Sequence, residues 1–252
     1  MRRLWLLPLL LLAIAAPSRA ASPFADWAAV VVAGDARGSR GGPTEAFDNA
    51  RRDVAGQLVG MGFAPANLSQ FSTRPQRYKD VRALKSEPQV IFTEMQRLTG
   101  AARGGCLVYF TSHGAPQGVV TGEQMIGPDI LDAMLDRTCG ERPTVVVISA
   151  CFSGVFVPAL AQPNRMVLTA ARPDRTSFGC GEANKYPYFD DCFLSSLPGA
   201  RDFAGLAGAV KTCVAAREKV ENMSPPSEPQ LYIGPGLRPT LPLLALHASA
   251  PS

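Results

Sequence analysis

The sequence predicts an α/β domain, a mostly parallel sheet with helices on both faces. Three observations predict it. Short apolar runs alternate along the chain with longer stretches of helical periodicity. Two of the runs, in residues 107–111 (LVYFT) and 145–149 (VVVIS), lack polar alternation, as strands buried on both faces do. Each then delivers a residue suited to catalysis: Ser112-His113-Gly114 after the first, Ala150-Cys151-Phe152-Ser153-Gly154 after the second. In open α/β sheets ligands bind outside the carboxyl ends of the strands.

The elements follow in order. Residues 1–20 are expected to be a secretory signal peptide: Arg2 and Arg3, an apolar core, then Ser18-Arg19-Ala20 as a cleavage pattern. Residues 21–252 are read as one domain, exported to the periplasm or the cell exterior. Residues 28–33 (AAVVVA) predict the first strand, and 34–42 a loop rich in glycine and arginine. Thr44 can cap a helix over 45–61, with Phe47, Val54, Leu58 and Met61 on one stripe. A second strand is expected at 67–71, and an exposed polar loop at 73–86.

Pro88 suits the first turn of a helix reaching about residue 98, ahead of the histidine strand. A small hairpin is expected around 118–124 and a helix from Pro128 to about Arg137. After the cysteine strand come a strand at 165–171, a long loop at 172–188, helices at 189–197 and 203–220, and a last strand at 230–233.

Composition narrows the function. The leader holds three of the 25 lysines and arginines, which leaves 22 against 21 acidic residues. A nearly neutral chain gives no argument for nucleic acid or anionic membrane as partner. No later stretch reaches the roughly 18 apolar residues of a membrane span. Six cysteines in an exported chain suggest disulfides. Cys106 and Cys139 stand near the amino ends of the two catalytic strands and can bridge if those strands are neighbours. Two of Cys180, Cys192 and Cys213 could form a second bridge, and the spacing does not choose the pair.

His113 and His247 are the histidines. His247 lies in a proline-rich tail, so His113 is the candidate acid or base at neutral pH. Cys151 is the candidate nucleophile. Burial is the ordinary fate of a cysteine ending an apolar strand. Here Ser153 and Gly154 turn the chain at once, a helix is expected to start, and His113 holds the equivalent place on another strand. A cysteine and a histidine remote in sequence but converging at strand ends are the arrangement for covalent catalysis. The backbone N–H groups of Gly114 and Cys151 are candidates for holding the tetrahedral oxyanion. Glycines 34–42 fit neither nucleotide-binding spacing, and Ser112 and Ser149 lack the Gly-x-Ser-x-Gly elbow. Two histidines without Cys-x-x-Cys make no zinc site, and no cofactor is implied.

Tyr109 to Gly114 (YFTSHG) and Ile148 to Gly154 (ISACFSG) together resemble the legumain-type cysteine peptidases of the caspase-like clan. The likeness extends to residues 29–34 (AVVVAG), 167–180 (VLTAARPDRTSFGC) and 188–193 (YFDDCF), and so over most of the chain after the leader. The resemblance implies a caspase-like three-layer α/β/α sandwich in a bacterial-like secreted member. It implies a His113–Cys151 dyad with Gly114 at the oxyanion hole, and a peptide or protein substrate along residues 170–178. The family cuts after asparagine and in part after aspartate, some members join peptides, and a transamidase subunit is a relative.

Family members carry an acid two residues before the cysteine, where this chain has Ser149. Their arginine-histidine pair after the first strand falls in the loop holding Arg37 and Arg40. Ser177 and Asp191 stand at family pocket positions. Ser149, Ser177, Asp191, Arg37 and Arg40 are thus the residues expected to contact substrate. Two other readings share the fold: a transamidase or ligase, and a catalytically silent peptide-binding domain. The pattern does not set the oligomeric state.

Overall fold

The computed structural model describes residues 22–246. The expected leader and His247 lie outside them. The strands are β1 (Trp27–Ala33), β2 (Leu68–Ser72), β3 (Leu84–Lys85), β4 (Gly105–Thr111), β5 (Gly114–Ala115), β6 (Gly118–Thr121), β7 (Gln124–Ile126), β8 (Thr144–Ser149), β9 (Arg165–Thr169) and β10 (Gln230–Ile233). The helices are α1 (Ala46–Gly60), α2 (Pro88–Ala101), α3 (Pro128–Thr138), α4 (Phe156–Leu160), α5 (Tyr188–Ser196) and α6 (Phe203–Val220). Seven strands form one sheet in the order β10-β9-β8-β4-β1-β2-β3, parallel except for β10 against β9. β5, β6 and β7 form a small antiparallel sheet after His113.

The lack of polar alternation in the central strands has a simple cause: both faces are covered. In β8, Val145 and Val147 join one core with Val54 and Leu58 of α1, Phe189 and Phe193 of α5, and Phe203 and Val210 of α6. Val146 and Ile148 join the other, with Ile91 and Leu98 of α2, Leu131 and Leu135 of α3, and Phe156 of α4. Every residue of β1, β4 and β8 is buried. Burying each valine side chain contributes about 1.5–3 kcal/mol, so these strands are the best-anchored part of the sheet. No helix among the described residues is long and apolar enough to cross a membrane.

Local differences from the sequence reading have local causes. Thr44 sits one residue ahead of the cap position, yet its Oγ1 accepts from the N–H of Ala46 at 3.2 Å. The segment after β2 is held down on α1 by charge. Arg74 pairs with Asp48 at 3.1 Å and Glu45 at 3.3 Å, and the Tyr78 hydroxyl donates to Glu45 at 2.6 Å. The helix expected to start after Cys151 is short: α4 has five residues, Pro158 among them.

Cys106 bridges Cys139 and Cys192 bridges Cys213. The first joins the start of β4 to the residue after α3, at the end of the sheet away from His113. The second ties α5 to α6. Cys151 and Cys180 are free. The first bridge closes a loop with a sequence separation of 33. For that length the chain-entropy account gives about 4 kcal/mol. Replacing both Cys106 and Cys139 by alanine is expected to lower stability in urea denaturation by up to that amount. A variant as stable as the wild type contradicts this account of the bridge.

Candidate active site

The site is built by the pairing of β4 with β8. The two strands run parallel in a register that sets Thr111 beside Ser149. The Ser112 N–H donates to the Ser149 carbonyl at 3.0 Å and extends the ladder one step past β4. His113 and Cys151 each stand two residues beyond that last pair. Equal offsets on neighbouring parallel strands bring their backbones out at the same edge of the sheet.

Gly114 packs directly on the backbone of Cys151. A Cβ there would lie 2.3 Å from the Cys151 carbonyl oxygen and 2.9 Å from the Ala150 Cβ. Only glycine fits such an approach. Phe152 follows Cys151 with φ of 57°, in the left-handed region. That conformation costs a non-glycine residue about 1–2 kcal/mol. Its N–H donates to the Arg175 carbonyl at 2.7 Å, which helps to hold the turn. A short 3-10 turn at Ser153–Val155 and then α4 carry the chain away. The helix expected after Cys151 is therefore a brief one.

His113 is half-buried between two supports. Its ring meets Phe47 of α1 edge-on, with centroids 5.1 Å apart. Its Nε2 lies 2.8 Å from the Arg37 carbonyl oxygen. A carbonyl only accepts, so this bond places the proton on Nε2 and leaves Nδ1 as the basic nitrogen. Arg37 thus supports the histidine through its backbone. Its guanidinium turns back to Asp35, at 3.0 Å. Arg40 lies further out, 84% exposed and paired with Glu182 at 3.3 Å.

The half-buried sulfur of Cys151 faces Ser177, whose N–H is directed at Sγ from 3.3 Å and whose Oγ stands at 3.7 Å. Residues 170–178 thereby reach the sulfur through Ser177. The other free cysteine, Cys180, lies three residues on. Burial first, and then the neighbouring Cys151, push its thiol up to about 11. It stays protonated at neutral pH.

The expected pocket residues divide. Ser177 is at the sulfur. Ser149 is 2% exposed, and its Oγ donates to Asp190 at 2.7 Å. Asp191 points elsewhere, to an ion pair with Arg217 on α6. Its neighbour Asp190, which the sequence reading did not single out, is fully buried under the strand ends. Asp190 also accepts from the Tyr109 hydroxyl at 2.6 Å and from the Thr111 hydroxyl at 3.0 Å. Burial pushes its pKa up from 3.8 to about 7, against the downward pull of those three hydroxyls. Tyr109 is held well above its ordinary range by burial and by the Asp190 charge.

That shift fixes a pH dependence of stability. A buried carboxyl with a raised pKa holds a proton in the native state where the unfolded chain has lost it. Its contribution to stability is full below about 3.8 and is lost as pH rises to about 7. Wild type is therefore expected to lose stability relative to Asp190→Asn across that window, with the change read by urea denaturation. A difference that stays constant across the same pH range contradicts the assignment.

The fold agrees with comparisons against known proteins. The family model described as the peptidase C13 family matches residues 74–222. Caspase-1 from Spodoptera frugiperda superimposes with a TM-score of 0.59 at 15% identity, covering 82% of this chain and 86% of that one. Protein GSU0716 from Geobacter sulfurreducens gives a TM-score of 0.57 at 13% identity, covering 82% and 93%. At such identities these two likenesses establish the caspase-like fold alone. No curated protein matches the sequence. With its family match over more than half its length, and a fold that superimposes on a caspase, the chain belongs to the peptidase C13 family, the legumain family of caspase-like cysteine peptidases.

Proposed function

We propose that this protein is an exported cysteine endopeptidase that cleaves after asparagine or aspartate, with Cys151 as nucleophile and His113 as its proton partner. Family membership carries cysteine peptidase activity and a protein substrate. The finer assignment rests on one observation above the rest: the register of β4 and β8 gives Cys151 and His113 equal offsets at one sheet edge.

In this reading the Cys151 thiol passes its proton to Nδ1 of His113 and the sulfur attacks the scissile carbonyl carbon. The backbone N–H groups of Gly114 and Cys151 stabilise the oxyanion as it forms. His113 then protonates the leaving amine, and the amide bond breaks to give a thioester. Water enters, His113 takes its proton, and the thioester collapses to the free acid and the restored thiol. The Arg37 carbonyl, bonded to Nε2, stabilises the imidazolium at both stages. The substrate lies beside Ser177, with the loop of Arg37 and Arg40 bordering it. Export is supported by the leader pattern in residues 1–20 and by the two disulfides.

Specificity for a polar P1 side chain is supported by the family likeness. The chain lacks the acid two residues before the cysteine, and Asp190, which meets the Ser149 hydroxyl from α5, is fully buried.

Two measurements test these assignments. Cys151→Ala and His113→Ala are each expected to lower kcat/KM by roughly 10³-fold or more. Activity within tenfold of wild type in either variant removes that residue from the mechanism. On fluorogenic peptides varied at P1, asparagine or aspartate is expected to be cleaved faster than arginine or lysine. A preference for a basic residue overturns the specificity while leaving the dyad standing.

A further inference from the structure

The fully buried Asp190 has no part in the mechanism above, and its setting calls for an explanation. Its carboxyl accepts three hydroxyl bonds, and two of the donors are Thr111 and Ser149, the partners that close the β4–β8 register. The third, Tyr109, points to the same face of β4. The carboxyl therefore spans the last rung of the ladder, two residues short of both His113 and Cys151.

We propose that Asp190 is a positioning residue, clamping the ends of β4 and β8 so that the backbones carrying His113 and Cys151 keep a fixed separation. The inference rests on the dyad reading given under Proposed function.

The sheet does not need this group for cohesion. Its backbone ladder is complete up to the Ser112–Ser149 bond, and apolar side chains surround it on the same face. Four polar groups buried together are seldom more stable than well-packed apolar side chains of similar volume. What they supply is direction. Each short bond fixes a side-chain rotamer, and all three converge on one rigid anchor.

That anchor is itself held. Cys192, two residues after Asp190, is bridged to Cys213 of α6. At the other end of the clamp, the N–H of Tyr188 donates to the Phe178 carbonyl at 3.0 Å. Phe178 follows Ser177, which touches the Cys151 sulfur. One helix thus fixes three segments that meet at the sulfur: the end of β4, the end of β8, and the loop that carries Ser177. Displacing reacting groups by about 1 Å can cost on the order of 100-fold in rate, so a clamp at this point acts on kcat.

The test uses the full chain and the fluorogenic peptide cleaved fastest by wild type. Asp190→Asn and Ser149→Ala are compared with wild type, with kcat expressed per active site titrated by a thiol-directed inhibitor and folding followed by circular dichroism. Asp190→Asn is expected to lower kcat roughly tenfold to 100-fold with KM unchanged within about threefold. Ser149→Ala, which removes one donor and leaves the carboxyl with two, is expected to lower kcat in the same manner but less. If Asp190→Asn does not fold, Ser149→Ala carries the test alone. Wild-type kcat per active site in the folded variants overturns the inference, even where their melting temperatures fall. Cys151→Ala separates the two levels: if it is inactive while the clamp variants keep full kcat, the clamp alone is wrong. If it keeps activity, the dyad reading fails and the clamp falls with it.

Discussion

The parallel pairing of β4 with β8 is the constraint on which the site depends. Neither His113 nor Cys151 lies in a helix, and each stands just past the end of its strand. Their placement comes from the strands behind them, which are buried along their whole length and packed on both faces. A slip of one residue in that register would turn Thr111 and Ser149 to the opposite face. Val145, Val147 and Tyr109 on one side, and Val146, Ile148 and Phe110 on the other, make such a slip costly. Apolar packing fixes the register, and the register places the chemistry.

Polar contacts then refine what packing makes possible. The Arg37 carbonyl fixes the tautomer of His113, and Phe47 limits its tilt. The Ser177 amide meets the Cys151 sulfur. Each contact comes from a different segment, and most come from the backbone. The site therefore depends more on the course of the chain than on the identity of its pocket side chains. Gly114 is the exception, because no other residue can lie against the Cys151 carbonyl.

This division explains what could be read from the sequence. β1, β4 and β8 were legible because double burial leaves an uninterrupted apolar signature. Both helices that begin at a proline, α2 and α3, were legible because proline fits the first turn and little else. The Cys106–Cys139 bridge followed from strand order, whereas the choice of Cys192 with Cys213 needed the packing of α5 on α6. The backbone role of Arg37 left no trace, since any residue supplies a carbonyl. Asp190 was passed over for its neighbour Asp191. The pair reads alike in sequence, and only the rotation of α5 decides which of them turns into the core and which meets Arg217. Ser149 stands where family members carry an acid, and the bond from its hydroxyl to Asp190 of α5 is one that only the packing of α5 on the sheet reveals.

Two half-buried free thiols lie in the same region, and the account assigns the chemistry to one of them. The most direct measurement is peptide mapping by mass spectrometry after reaction with a peptidyl acyloxymethyl ketone bearing asparagine or aspartate at P1. The account predicts a single thioether adduct at Cys151, absent in His113→Ala over the same reaction time. An adduct on Cys180, or cleavage activity that persists after Cys151 is fully modified, would contradict it.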